Sequence, residues 1–323
     1  MPNARGSSTR TLAPATYRRI TTLALASLAT IVVSGAAVRL TGSGLGCTDW
    51  PACHEDRFVP EGSFHEMVEF LNRLFTGVVS VAVILAVLGS RWRTPYRRDL
   101  TAWSWGLVAG VVGQIVLGGM VVLFELSPWL VIGHFVLSVV LVWNAVVLRT
   151  RAGHDGTAAP PRVSNGTVWM GRVLVLAAVA AILTGTLVTG SGPHGGDEEV
   201  ERLPFLIHTV ARIHGVTVVC FLLLVLATGW RLRRLDSAAP DLWRRYSTLL
   251  VVLVAQAAVG YTQYLTDVPA LLVGIHVAGA TALWIAVLTF HLGLFAWRPD
   301  PALVRATSTA RTTTTTDAAV VTP

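Results

Sequence analysis

Eight long apolar runs occupy most of this sequence and leave almost no chain for a soluble domain. They fall at roughly 18–40, 66–89, 101–123, 129–149, 168–189, 204–229, 247–265 and 270–297. Each is long enough to cross a bilayer core of ~30 Å, which takes about 20 residues. The core offers no water to backbone N–H and C=O groups, so runs of this length cross it as helices. The predicted fold is an all-α integral membrane protein with eight transmembrane helices. Charged residues make up only 13% of the chain, and the mean hydropathy is +0.61. A soluble domain carries about 25% charged residues. The first run is too long for a signal-peptide core and lacks a clear small-residue cleavage site, so it reads as mature structure. Residues 1–16 and 299–323 are predicted to be disordered, the latter because the run Thr312 to Thr316 cannot form a packed core.

A net charge of +7 could suggest nucleic acid, but its placement argues for topology instead. Every basic residue is arginine, and the arginines cluster at Arg5 to Arg19, Arg91 to Arg98, Arg149 to Arg172, Arg231 to Arg245 and Arg298 to Arg311. Those are alternate helix ends, hence one face of the membrane. Asp49, Glu55, Asp56, Glu61, Asp197, Glu198, Glu199 and Glu201 crowd the other face. The positive-inside rule predicts a multi-pass protein of the cell membrane with both termini in the cytoplasm, and no nucleic-acid partner.

An internal repeat divides the chain. Gln114-x3-Gly118 leads to His134 and Trp143, and Gln256-x3-Gly260 leads to His276 and Trp284. Glutamine to glycine is four residues in both copies, and glutamine to histidine is twenty in both. Thr41-Gly42-Ser43-Gly44 ends the first run, as Thr189-Gly190-Ser191-Gly192 ends the fifth. Two repeat-related four-helix bundles are expected, at 17–150 and 168–298, joined by a cytoplasmic linker at 151–167. An even number of helices per copy inserts both in one orientation, about an axis along the membrane normal.

Histidine or a charge inside a span is costly and is a functional candidate by default. His134 and His276 are repeat-related. Aligning the halves places His214 of the sixth helix at the position of Asn72 in the second. A lone histidine often only bonds between helices, but a repeat-related pair with a third partner fits haem ligation on facing bundle helices. His214 and His276 would form a bis-histidine site in the second half. His208 lies about 240° round the helix from His214 and cannot face the same iron. In the first half His65, Glu69, Asn72 and Arg73 share a helical face, with His134 opposite. Glu69 near a porphyrin edge could accept protons from a reacting methyl group; its structural alternative is an ion pair with Arg73. Cys47 and Cys53 lie in a Gly-rich outer loop on the oxidising side, where a disulfide can form. Their spacing is not that of a zinc site despite His54, and Cys220 reads as a small apolar helix residue.

The motif Arg39-Leu40-Thr41-Gly42-Ser43-Gly44-Leu45-Gly46-Cys47-x-Asp49-Trp50-Pro51-x-Cys53 resembles the first outer loop of the haem A synthase family. The resemblance runs on through Glu69 with Asn72-Arg73, Gly133-His134, His214 and Gly274-Ile275-His276, over residues ~18–297. It implies a two-bundle membrane oxidoreductase with haem b as cofactor and haem O as substrate, turning one ring methyl into a formyl group by two successive oxidations. By position, Glu69 resembles the family's essential carboxylate, His134 the ligand of the first half, and His214 with His276 the ligands of the b haem. Cys47 and Cys53 resemble the loop cysteine pair of bacterial members. Haem O synthase, terminal-oxidase assembly and a membrane electron acceptor are the implied partners. One departure stands out. The family pattern is Glu-x-x-His, whereas this chain has Asn72 in the ligand slot, leaving a five-coordinate site or one completed by His65. Two other classes fit part of the pattern. A b-type cytochrome subunit passing electrons from quinone has no use for Glu69, and a repeat-built transporter does not account for the histidines.

Overall fold

A computed structural model describes residues 11–55, 57–197, 199–234, 236 and 239–305. The protein is an all-helical membrane protein, and among these residues there is no β-strand. Its helices are α1 (Pro14–Leu40), α2 (Phe64–Trp92), α3 (Arg98–Leu123), α4 (Pro128–Ala152), α5 (Asn165–Ser191), α6 (Ile207–Arg234), α7 (Pro240–Leu265) and α8 (Ala270–Gly293). All eight are long and apolar enough to cross a membrane.

Local chemistry explains four of the eight helix starts. Proline opens α1, α4 and α7, where its missing N–H would have no partner anyway. Ser63 caps α2 by accepting from the Glu66 N–H at 3.3 Å, and the Ser-x-x-Glu spacing is that of a capping box. Several helices extend past the apolar runs. α6 continues to Arg234, five residues beyond the expected end, and α4 to Ala152. Arginines in those last turns favour the negative end of the helix dipole, so helical hydrogen bonding outlasts hydropathy. At the other limit, α8 stops at Gly293 rather than 297. The Arg162 N–H donates to Leu294 O at 3.0 Å and the Ala296 N–H to Pro160 O at 2.8 Å, so these residues pair with the α4–α5 linker instead.

Within each half the helices form a ring. α1 packs on α2 and α4, and α3 on α2 and α4; α5 through α8 repeat the scheme. The backbones of the diagonal partners α2 and α4 do not come close among the described residues, and neither do those of α6 and α8. Each diagonal gap is where side chains can meet around a ligand. The halves join through α1 and α4 against α8, and α4 against α5. One apolar core spans this seam, including Val142, Leu174, Phe221, Leu253 and Trp284. A second fills the first half around Tyr17, Leu28, Val83, Leu107 and Leu141. Trp284 donates to Val139 O of α4 at 3.0 Å. Trp143 instead packs edge-on against Trp103 and is exposed. The two tryptophans are not equivalent: one stands nine residues after its histidine and the other eight, which turns them about 100° apart.

The predicted disorder at the chain ends holds for neither segment that the structure describes. Leu12 donates its N–H to Trp92 O at 2.7 Å and accepts from Thr94 N at 3.1 Å. Asp300 pairs with Arg93, whose side chain is fully buried. A buried charge needs a partner, so this pair fixes residues 299–305 against the arginine-bearing face. Burial lowers the Arg93 pKa below its ordinary value, with Asp300 opposing the shift. Residues 1–10 and Thr312 to Thr316 lie outside the described residues.

Candidate functional site: two diagonal gaps with one scaffold

The second half presents a facing histidine pair. His214 of α6 and His276 of α8 have ring centroids 6.4 Å apart, with planes at 79°. Two imidazoles bound to one metal from opposite sides by bonds of about 2 Å each place their centroids roughly 6 Å apart. The spacing therefore fits one iron between them. Thr184 Oγ1 of α5 lies 3.1 Å from His214 Nδ1, which leaves Nε2 as the free ring nitrogen. Gln256 donates to His276 O at 2.7 Å and ties α7 to α8 beside the ligand. His276 Nδ1 is buried without a partner. Two glycines make room for the rings: a Cβ on Gly185 would stand 3.2 Å from His214 Cε1, and one on Gly260 2.8 Å from His276 Cε1.

The first half repeats the scaffold. Gln114 Nε2 donates to His134 O at 3.0 Å and to Ser138 Oγ at 2.7 Å. A Cβ on Gly118 would stand 3.2 Å from His134 Cε1, and His134 Nδ1 is again buried and unpartnered. In place of the Thr184–His214 contact, Ser34 Oγ donates to Asn72 Oδ1 at 2.8 Å. The Gln-x3-Gly motif thus has a physical reading that spacing alone did not supply. The glutamine fixes the backbone of the histidine, and the glycine clears space for its ring. Ser34 and Thr184 were not candidates from sequence, because hydroxyls are common in such helices and their partners lie on another helix.

Glu69 and Arg73 hold the outer loop. Glu69 is 5% exposed. Its Oε2 accepts the Cys47 N–H at 2.8 Å, and its Oε1 accepts from Arg73 Nη2 at 2.5 Å and Nε at 3.1 Å. Arg73 Nη1 donates to Asp49 O at 2.9 Å and Ala52 O at 2.8 Å. Cys47 and Cys53 are joined by a disulfide. Gly46 lies so close to the His65 backbone that a Cβ there would stand 2.4 Å from His65 O, and Trp50 packs on Gly119 of α3. The loop therefore lies across the ends of α2 and α3. His65 is exposed in the first turn of α2, with Nδ1 3.0 Å from Ser43 Oγ. Among the described residues no cluster of three or more His, Cys, Asp or Glu could hold a bare metal ion. The histidines are arranged as pairs across gaps, which suits an iron that brings its own equatorial ligands.

Glu66, His208 and Cys220 stand apart from these gaps. Glu66 Oε1 lies 3.5 Å from His54 Nε2, His208 is exposed, and Cys220 is an exposed free thiol. Two arginines near the loop were also missed. Arg202 has a buried Nη1 without a partner, and no acidic side chain pairs with it or with Arg39 among the described residues. Arg39 falls inside the loop motif, but its lack of a counter-charge is visible only in three dimensions.

Comparison with known proteins bears on this arrangement. The family profile described as Cytochrome oxidase assembly protein (COX15-CtaA) matches residues 18–66 and 59–193, more than half of the chain. A protein named Heme A synthase from Halalkalibacterium halodurans is 26% identical over 282 residues, covering 83% of this chain and 91% of its own length. Another of that name from Alkalihalophilus pseudofirmus is 25% identical over 235 residues, 69% of this chain and 78% of its own. A third, from Geobacillus kaustophilus, is 32% identical over 147 residues, 40% of this chain and 44% of its own. The profile match spans the first four-helix bundle, the outer loop and α5, and on that ground the chain belongs to the COX15-CtaA family of cytochrome oxidase assembly proteins.

Proposed function

We propose that this protein is a haem A synthase of the cell membrane, converting one ring methyl of haem O to a formyl group by two successive oxidations. The observation that carries this reading is the facing pair His214 and His276 across helices whose backbones stay apart. The same scaffold around His134 supports a second haem position, and the relatives named Heme A synthase support the reaction. Residues 168–298 would hold haem b through His214 and His276. Residues 17–150 would hold haem O through His134. The arginine-bearing face, with both termini, lies in the cytoplasm.

When bound, the haem supplies redox-active iron and a conjugated ring that carries the methyl to be oxidised. The side chains supply orientation, water exclusion and proton acceptance. Glutamine bonds and glycine contacts set the ring planes of His134 and His276. Glu69 is the proton acceptor, oriented by the Cys47 N–H on Oε2 and by Arg73 on Oε1. Arg73 also clasps the disulfide-closed loop through two carbonyls, and the loop shields the end of the first gap from water. Substrate comes from a haem O-forming enzyme, product goes to terminal-oxidase assembly, and electrons leave to a membrane acceptor. The test is the haem extracted from membranes that contain this chain and a haem O source. Haem A is expected. Haem b with unconsumed haem O would make the chain a b-type cytochrome, and no haem at all would overturn both.

A further inference from the structure

The repeat preserves the Gln-x3-Gly and histidine scaffold of both gaps but changes the side chain at the second ligand position and the hydroxyl that supports it. Thr184 of α5 meets His214 Nδ1 at 3.1 Å, and Ser34 of α1 meets Asn72 Oδ1 at 2.8 Å. On the opposite side, Gln256 and Gln114 fix the carbonyls of His276 and His134 in the same way. By the repeat, in which both pairs are offset by 142 residues, Asn72 takes the position relative to His134 that His214 takes relative to His276. An asparagine cannot replace the imidazole as a ligand here. Its amide nitrogen offers two N–H donors and no usable lone pair, its oxygen is turned to Ser34, and the side chain ends short of where an imidazole Nε2 reaches. The Asn72 amide nitrogen has no partner among the described residues and is not sealed in the core. His65 cannot complete the site from its own position. It stands seven residues before Asn72 on α2, about 10 Å further along the axis, and its Nδ1 lies beside Ser43 Oγ.

We propose that the first half takes its haem through His134 alone, and that Asn72 is an amide donor over an open coordination face. That face admits a small exogenous ligand able to accept a hydrogen bond, anionic or oxygen-bearing. The inference rests on the haem-binding reading above. It gives the halves distinct tasks: a closed bis-histidine site for electron transfer, and an open site where a ligand meets iron beside a fixed donor.

The test uses full-length purified protein loaded with haem b up to two equivalents, followed by optical spectra, carbon monoxide binding to the reduced form and azide titration of the oxidised form. The first equivalent should be low-spin and unreactive. The second should be high-spin and bind carbon monoxide. Asn72→His should turn the second equivalent low-spin and silent to carbon monoxide. Asn72→Leu should keep it high-spin but weaken azide about tenfold or more, the loss of one hydrogen bond to a charged group. His65→Ala should leave it high-spin. The low-spin first equivalent reports that each variant is folded. A low-spin second equivalent in the wild type, or azide affinity unchanged in Asn72→Leu, would overturn the inference alone. Failure to take up any second equivalent would overturn the haem O site of the first half and this inference with it. Haem uptake and spin state are read separately, so the two failures are distinguishable.

Discussion

At the scale of single residues, the histidine pair and the buried carboxylate make separable claims. His214→Ala or His276→Ala should each abolish the low-spin b-haem spectrum, because each would remove one of the two ligands proposed for the same iron, whereas Cys220→Ala at an exposed position should keep it. Retention of a normal bis-histidine spectrum by both histidine variants would refute the assignment. Glu69 anchors the loop, and the proposed function gives it a chemical task as well. Glu69→Gln keeps the size and an acceptor for the Cys47 N–H, but an amide cannot take up a proton at neutral pH. Haem A formation should therefore fall at least a hundredfold, the lower range for a lost general base, while the b haem of the other half persists. Haem O or a hydroxylated intermediate should accumulate in extracted pigments. Near-normal haem A would assign Glu69 to loop anchoring through Arg73 only. Glu69 and Arg73 were legible in the sequence as i,i+4 neighbours, but the bonds that tie them to Cys47, Asp49 and Ala52 were not.

At the scale of elements, the glycines facing the rings and the disulfide loop are the sensitive points. Gly260→Ala brings a Cβ to 2.8 Å from His276 Cε1, whereas Gly77→Ala on α2 meets nothing within 4 Å. The first should lower haem content or shift the low-spin bands in absorption spectra of purified protein, and the second should leave both unchanged. The loop disulfide predicts that Cys47 and Cys53 resist thiol labelling until reduced, while Cys220 labels without reduction once detergent exposes it. Equal labelling of the loop cysteines before and after reduction would count against the bridge. Helix existence and order were readable from hydropathy. Helix ends were not, because arginine-rich turns continue α4 and α6 while α8 gives up its last expected turn to pair with a linker distant in sequence.

At the scale of the whole molecule, the seam between the halves and the Arg93–Asp300 pair tie remote segments together. Asp300→Ala leaves Arg93 buried without its counter-charge, which costs about 3 kcal/mol when a buried pair is broken. A lowered thermal midpoint of purified protein is the expected result, with haem spectra unchanged below the transition because the pair lies on the arginine-bearing face. An unchanged midpoint would show that the tail segment is not anchored there.

Hydropathy, arginine placement and the Gln–Gly–His spacing were enough to determine an eight-helix membrane protein, its two halves and its histidines. These signals are periodic and local, and the bilayer forces every apolar run into a helix. The tertiary structure decided what those residues face. It brought His214 and His276 together across helices whose backbones stay apart, bonded Asn72 to Ser34 of α1, and set Trp284 in the seam while Trp143 stayed outside it. It also placed Glu69 beneath the loop rather than only beside Arg73. Such contacts depend on how helices rotate about their own axes, and one residue of spacing turns a side chain by about 100°. Packing against several neighbours at once fixes that rotation, and no single stretch of sequence contains it.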